Sequence, residues 1–144
     1  MTGPVREPVM SALFERLSGA ARFVTASRRL RHWSDVAPED QPALFMAQRS
    51  GGVLERVRGQ PAKLTLRADV YVYAHTTEGT APATTLNDLL DAIADALEPD
   101  PHPGVQTLDG LVHHCWIDGD IETDEGTLGD QAVAIVPITI IVNR

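Results

Sequence analysis

From Lys63 to His75, apolar and polar residues alternate without interruption. Leu64, Leu66, Ala68, Val70, Val72 and Ala74 take the even positions, and Thr65, Arg67, Asp69, Tyr71, Tyr73 and His75 the odd ones. A period of two over this length predicts a long strand with one face buried and the other wet or paired. We take it as the central strand of a sheet. From Thr84 to Leu97 the period changes to that of a helix. Leu86, Leu89, Leu90, Ile93 and Leu97 form one stripe, while Asn87, Asp88, Asp91 and Asp95 face outward. Thr85 and Asp88 have capping-box spacing, and Pro99, Pro101, Pro103 and Gly104 end the helix. Pro8 to Ala20 predicts a second helix, with Val9, Leu13 and Leu17 at i, i+4 and i+8 and Gly19 as its stop.

The remaining apolar runs are shorter. Arg22 to Arg29 and Ala43 to Arg49 predict two strands, the second broken by Ser50-Gly51-Gly52. Residues 53–60 then read as an extended hairpin arm or loop before the central strand begins. Leu111 to Glu122 predicts one strand with Val112, His114 and Trp116 on one face and Leu111, His113, Cys115, Ile117 and Ile121 on the other. Gln131 to Val142 predicts a last strand that is apolar on both faces, which suggests helices against one face and a neighbouring subunit against the other. Pro137 lacks an amide donor, so it belongs at an edge or a bulge. Short connections favour antiparallel pairing. The expected fold is therefore α+β: a mostly antiparallel four- to five-stranded sheet with two helices packed on one face, in a single domain spanning residues 1–144.

Composition adds one feature, an uneven charge. The net charge is −8. Residues 1–60 hold nine arginines against six acids, +3, and residues 61–144 hold three cations against fourteen acids, −11. Unlike surfaces of this kind suit head-to-tail self-association, and the acidic total disfavours a protein that grips phosphates. No apolar run reaches the roughly 18 residues of a membrane-spanning helix. The N-terminal residues lack an apolar signal core, so no export signal is expected. Cys115 is the lone cysteine, which excludes an intrachain disulfide and fits a reducing cytoplasm.

Candidate chemistry is sparse. Arg28, Arg29, Arg31, Trp33 and Asp35 crowd into one short stretch. It reads as a solvated strand end with Trp33 turned into the core, as an interface anchor, or as a nucleic-acid patch. Arg56 and Arg58 sit on the arm. His113 and Cys115 share a strand face and could begin a metal site or a nucleophile pair, but the sequence offers no convergent set of further ligands and no oxyanion loop. Asp118, Asp120, Glu122 and Asp124 recur at alternate positions, which lines one wet face of a strand facing bulk water or the lumen of a ring. Thr123 stands where a calcium loop needs glycine. Gly51-Gly52 lacks the surrounding residues of a phosphate cradle. No catalytic, cofactor or metal residues are assigned.

Four stretches resemble the tail terminator (minor tail protein U-like) family of long-tailed phages and their prophage relatives. They are Arg28-Arg29-Leu30-Arg31-His32-Trp33-Ser34-Asp35-Val36, Leu66-Arg67-Ala68-Asp69-Val70-Tyr71-Val72-Tyr73-Ala74, Thr85 to Leu97, and Gly110 to Ile117 with Gly119-Asp120-Ile121-Glu122. The likeness runs from about Arg6 to Val142, and order and spacing carry it. The resemblance implies a virion protein of the tail–neck region, assembled in the bacterial cytoplasm. It would form a hexameric ring on the major tail tube protein, end tube polymerisation and dock the head–tail connector. DNA would pass through without specific binding, and neither cofactor, catalysis nor membrane is implied. On that reading Arg28, Arg29, Arg31, Trp33, Asp35, Arg56 and Arg58 are expected at the subunit or tube interface, and the acidic row in the lumen. Three alternatives remain: another neck ring protein, a small cytoplasmic metal-dependent enzyme using His113 and Cys115, or a DNA-binding module using the Arg28–Trp33 segment, which the acidic total disfavours.

Overall fold

The computed structural model describes residues 3–77 and 79–143. Helix α1 (Arg6–Ser18) is followed by strand β1 (Thr25–Ser27), two single 3-10 turns (Trp33–Asp35 and Pro38–Asp40), and strands β2 (Ala43–Glu55) and β3 (Lys63–His75). Helix α2 (Pro82–Ala96), strands β4 (His114–Ile117) and β5 (Glu122–Gly126), and strand β6 (Gly129–Asn143) complete the chain. The fold is α+β, with a six-stranded mixed sheet ordered β1-β2-β3-β6-β4, and β5 pairs with the far half of β6.

The alternation along β3 survives intact. All six even-numbered residues from Leu64 to Ala74 are buried beneath the helices, beside Ala132, Ala134, Val136, Ile138, Ile140 and Val142 of β6. Met10, Leu13 and Leu17 of α1 and Leu86, Leu89 and Ile93 of α2 close this layer. Leu90, from the expected stripe, is only half-buried.

Four local expectations are corrected. Antiparallel pairing fails at β1, which runs parallel to β2. Residues 28–42 make the crossover that parallel neighbours require, and only three residues of the expected strand pair. Ser50-Gly51-Gly52 does not end β2: the strand continues to Glu55 through two register shifts. Gly52, at φ +96°, makes this passage possible, because a Cβ there would lie 2.8–2.9 Å from the Leu66 and Leu64 side chains. The supposed 53–60 arm is thus strand up to Glu55 and only then a tip.

The run Leu111 to Glu122 is two strands, β4 and β5, laid end to end along β6. The residues between them bulge out opposite Pro137. The Pro137 carbonyl, which accepts from the Asp118 amide at 2.9 Å, points at this gap, so its missing donor faces the place where no partner strand stands. Thr85 and Asp88 lie inside α2 and do not cap it. Pro82 opens that helix, and Glu125 of β5 accepts from the Ala83 amide at 2.5 Å.

Candidate interaction surfaces

Pleating assigns the odd residues of β3 and β6 to the face away from the helices, and registration extends that face to its neighbours. Phe45 pairs with Tyr71 and Ala43 with Tyr73 on one side. Across β6, Ile135 pairs with Glu122, Val133 with Asp124, and Thr139 with Trp116. One end of this face is roofed by the crossover. Val36 is buried against Ala43, Phe45 and Tyr73, and half-buried Trp33 packs beside them. Tyr73 donates to the Arg31 carbonyl at 2.6 Å, and burial pushes its phenol up to about 12.

Two glutamines lock the roof down. Gln41 Nε2 donates to Gln131 Oε1 at 2.9 Å, and Gln131 Nε2 returns a bond to Gln41 Oε1 at 2.8 Å. The same two amides reach the Val36, Ala74 and Ala132 carbonyls. Both residues are buried, and among the described residues no buried side-chain polar atom lacks a partner. Ninety positions separate them, so nothing local in the sequence marks the pair.

Beyond the roof the face is open. Two adjoining hollows of about 340 and 360 Å³ share Ile135 and Glu122. Their floor includes Tyr71, Val133, Ile135 and Pro137, and Trp33 forms one wall. Asp69, Asp118, Asp120, Glu122 and Asp124 ring them, with Arg49 the one cation. Arg49 lies 3.8 Å from Asp69, and Asp118 accepts from the Thr139 hydroxyl at 2.8 Å. The acidic row is therefore not one strand. Asp118 and Asp120 lie in the bulge, while Glu122 and Asp124 stand on β5; all four border the open face. Tyr71, Asp69 and Arg49 complete the groove and were not among the candidate residues, although the odd positions of β3 already marked a second working face.

The arginine candidates do not form one patch. Arg28 pairs with Glu7 of α1 at 2.5 Å, which holds that carboxyl below its usual range. The Arg31 guanidinium lies 5.4 Å from the centre of the Phe45 ring. Trp33 is part of the roof, so three members of that cluster are engaged within the fold, while Arg29 and Asp35 stay exposed. Arg56 and Arg58 lie at the other end of the sheet, about 30 Å from Phe45 at strand rise. They sit on the β2–β3 tip, where Val57 is 56% exposed, and Val53, 62% exposed, lies just before it at the end of β2. Among the described residues neither arginine makes a hydrogen bond or ion pair.

His113 and Cys115 do not make a reactive pair. His113 is exposed, whereas Cys115 is fully buried under the helices, and burial pushes its thiol up to about 12 despite the nearby Arg16 charge. Among the described residues no three His, Cys, Asp or Glu side chains converge as a metal site needs. Among the described residues no helix is long and apolar enough to cross a membrane. In comparisons with known proteins, no family model and no curated protein matches this chain.

Proposed function

We propose that this chain is a structural ring protein of a phage virion, a tail terminator that caps the tail tube, stops its growth and docks the head connector. One observation carries the reading beyond the resemblance of its four stretches. A single rigid sheet bears two unlike, unsatisfied surfaces: a basic, partly apolar hairpin tip at one end and an acidic groove with an apolar floor toward the other. Unlike patches on one protomer generate heterologous contacts, and heterologous contacts close into rings when their rotation permits. Cys115, on which the enzyme alternative drew, is buried beneath the helices and burial pushes its thiol up to about 12, so it lends that alternative no support.

Deleting the gene from its phage and imaging the resulting tails by electron microscopy tests this. The proposal expects tubes of uncontrolled length without heads, restored by the wild-type chain. Tubes of normal length that merely fail to join heads would point to a neck ring instead. Complete particles with no copy of the chain at the head-proximal end of the tail would end both readings.

A further inference from the structure

We infer that the β2–β3 hairpin tip of one copy of this chain docks into the open-face groove of a second copy. The inference rests on the ring reading for its closure, and it names the two surfaces that join.

The tip is built to be covered. Exposed Val57 lies on the tip between Arg56 and Arg58, and Val53 and Leu54, also exposed, lie at the end of the strand that leads to it. The groove offers the complement: Tyr71, Val133 and Ile135 as floor, and five carboxylates around it against Arg49 and, at its edge, Arg67. Charges of opposite sign set orientation and speed encounter, while apolar contact beneath them supplies the burial. Six residues of β3 separate Lys63 at the base of the tip from Asp69 at the groove, about 20 Å at strand rise, so a tip cannot reach its own groove. The occupant has to be another molecule. β3, paired with β6 from Lys63 to His75 and with β2 over most of that length, holds the two surfaces at a fixed spacing.

This assignment moves Asp118, Asp120, Glu122 and Asp124 from a channel wall to a subunit joint. A wall past which DNA slides needs only negative charge. The apolar side chains between the acids are half-buried in the free chain, and a protein partner gains by covering what remains of them.

Two charge-reversal variants test the joint. Arg56→Glu with Arg58→Glu spoils the tip and leaves the groove, and Asp120→Lys with Glu122→Lys spoils the groove and leaves the tip. All four residues are exposed, so circular dichroism and thermal unfolding should match wild type. By sedimentation, wild type should associate beyond a dimer, and each variant alone should associate about a hundredfold more weakly. An equal mixture should regain assembly, since an unaltered tip meets an unaltered groove at one joint and the acidic tip meets the basic groove at the next. Variants that assemble like wild type, a mixture that stays monomeric, or a wild-type chain monomeric at every soluble concentration would each overturn the inference. The ring reading fails separately. Wild type stopping at a reciprocal dimer would uphold the joint and remove the ring, whereas rings formed by both variants would uphold the ring and remove the joint.

Discussion

The sheet of this protein is covered by different chemistry on its two faces. Toward the helices, β3 and β6 present only aliphatic side chains, and Met10, Leu13, Leu86 and Ile93 fill the space above them. Away from the helices the same strands present Tyr73, Tyr71, Asp69 and Arg67 beside Val133, Ile135, Pro137 and Thr139, and cover comes only from a crossover pinned by two glutamines. The first face is closed by nonspecific burial, which tolerates exchange of one aliphatic residue for another of similar volume. The second is closed by a few directional bonds at one end and left unfinished at the other. A fold can thus be stable on one face while keeping the other for recognition.

The largest expected effect sets the faces directly against each other. Ile93→Asp places an unpaired charge in the helix layer and should cost more than about 4 kcal/mol, comparable to the whole stability of a small domain. Circular dichroism of the purified chain should show it unfolded at 25 °C. Tyr71→Asp on the open face should stay folded, at a cost of no more than about 2 kcal/mol for its half-buried contacts and the acids beside it. A folded Ile93→Asp variant, or an unfolded Tyr71→Asp variant, would erase the distinction between the faces.

A smaller effect probes the pinned roof. Gln131→Ala leaves the Gln41 amide buried without its partner and should cost about 2 kcal/mol, read as a lowered urea midpoint at unchanged slope. In the double variant with Gln41→Ala the cost should be less than the sum of the two single losses, because the second substitution removes a group already left unpaired. Strict additivity would mean the two amides do not act as a pair.

The sequence disclosed these two faces unequally. The even positions of β3 and the Leu86–Leu97 stripe read correctly because burial on one side imprints a strict period. The floor of the groove was also visible, since Tyr71 and Ile135 occupy the second face of strands whose first face was already spoken for. The walls were not. Trp33 reaches the groove only because residues 28–42 cross over the sheet, and a crossover path leaves no periodic mark. The alternation of Asp118, Asp120, Glu122 and Asp124 runs smoothly through a place where the strand itself breaks, so pattern alone merges β4 and β5. Gly51-Gly52 suits a break or a bulge equally well. Pairing of Val53 with Thr65 decides for the bulge, and that is a tertiary fact. The Arg28–Asp35 cluster was divided by partners distant in sequence: Glu7, Phe45 and Tyr73.

The last effect is graded with pH and gives each face its own reporter of how well it is sealed. Cys115 lies under the helices and Tyr73 under the crossover, and burial raises both groups to about 12, from ordinary values of 9.0 and 10.0. In each case the folded chain keeps a proton that the unfolded chain surrenders sooner. Stability is therefore intact below the unfolded value and falls as pH rises toward 12. The decline should begin near pH 9 from the thiol and steepen above pH 10 as the phenol joins, with Tyr73 contributing up to about 2 kcal/mol. Urea unfolding at intervals between pH 8 and 11.5 would trace it. Cys115→Ala should flatten the curve between pH 9 and 10 and lower its slope above, whereas Tyr73→Phe should lower the slope only above pH 10. If Tyr73→Phe changes nothing above pH 10, the crossover is admitting water and the open face extends further than its roof. If Cys115→Ala changes nothing near pH 9, the helix layer is the leaky one, and the contrast between the faces is reversed.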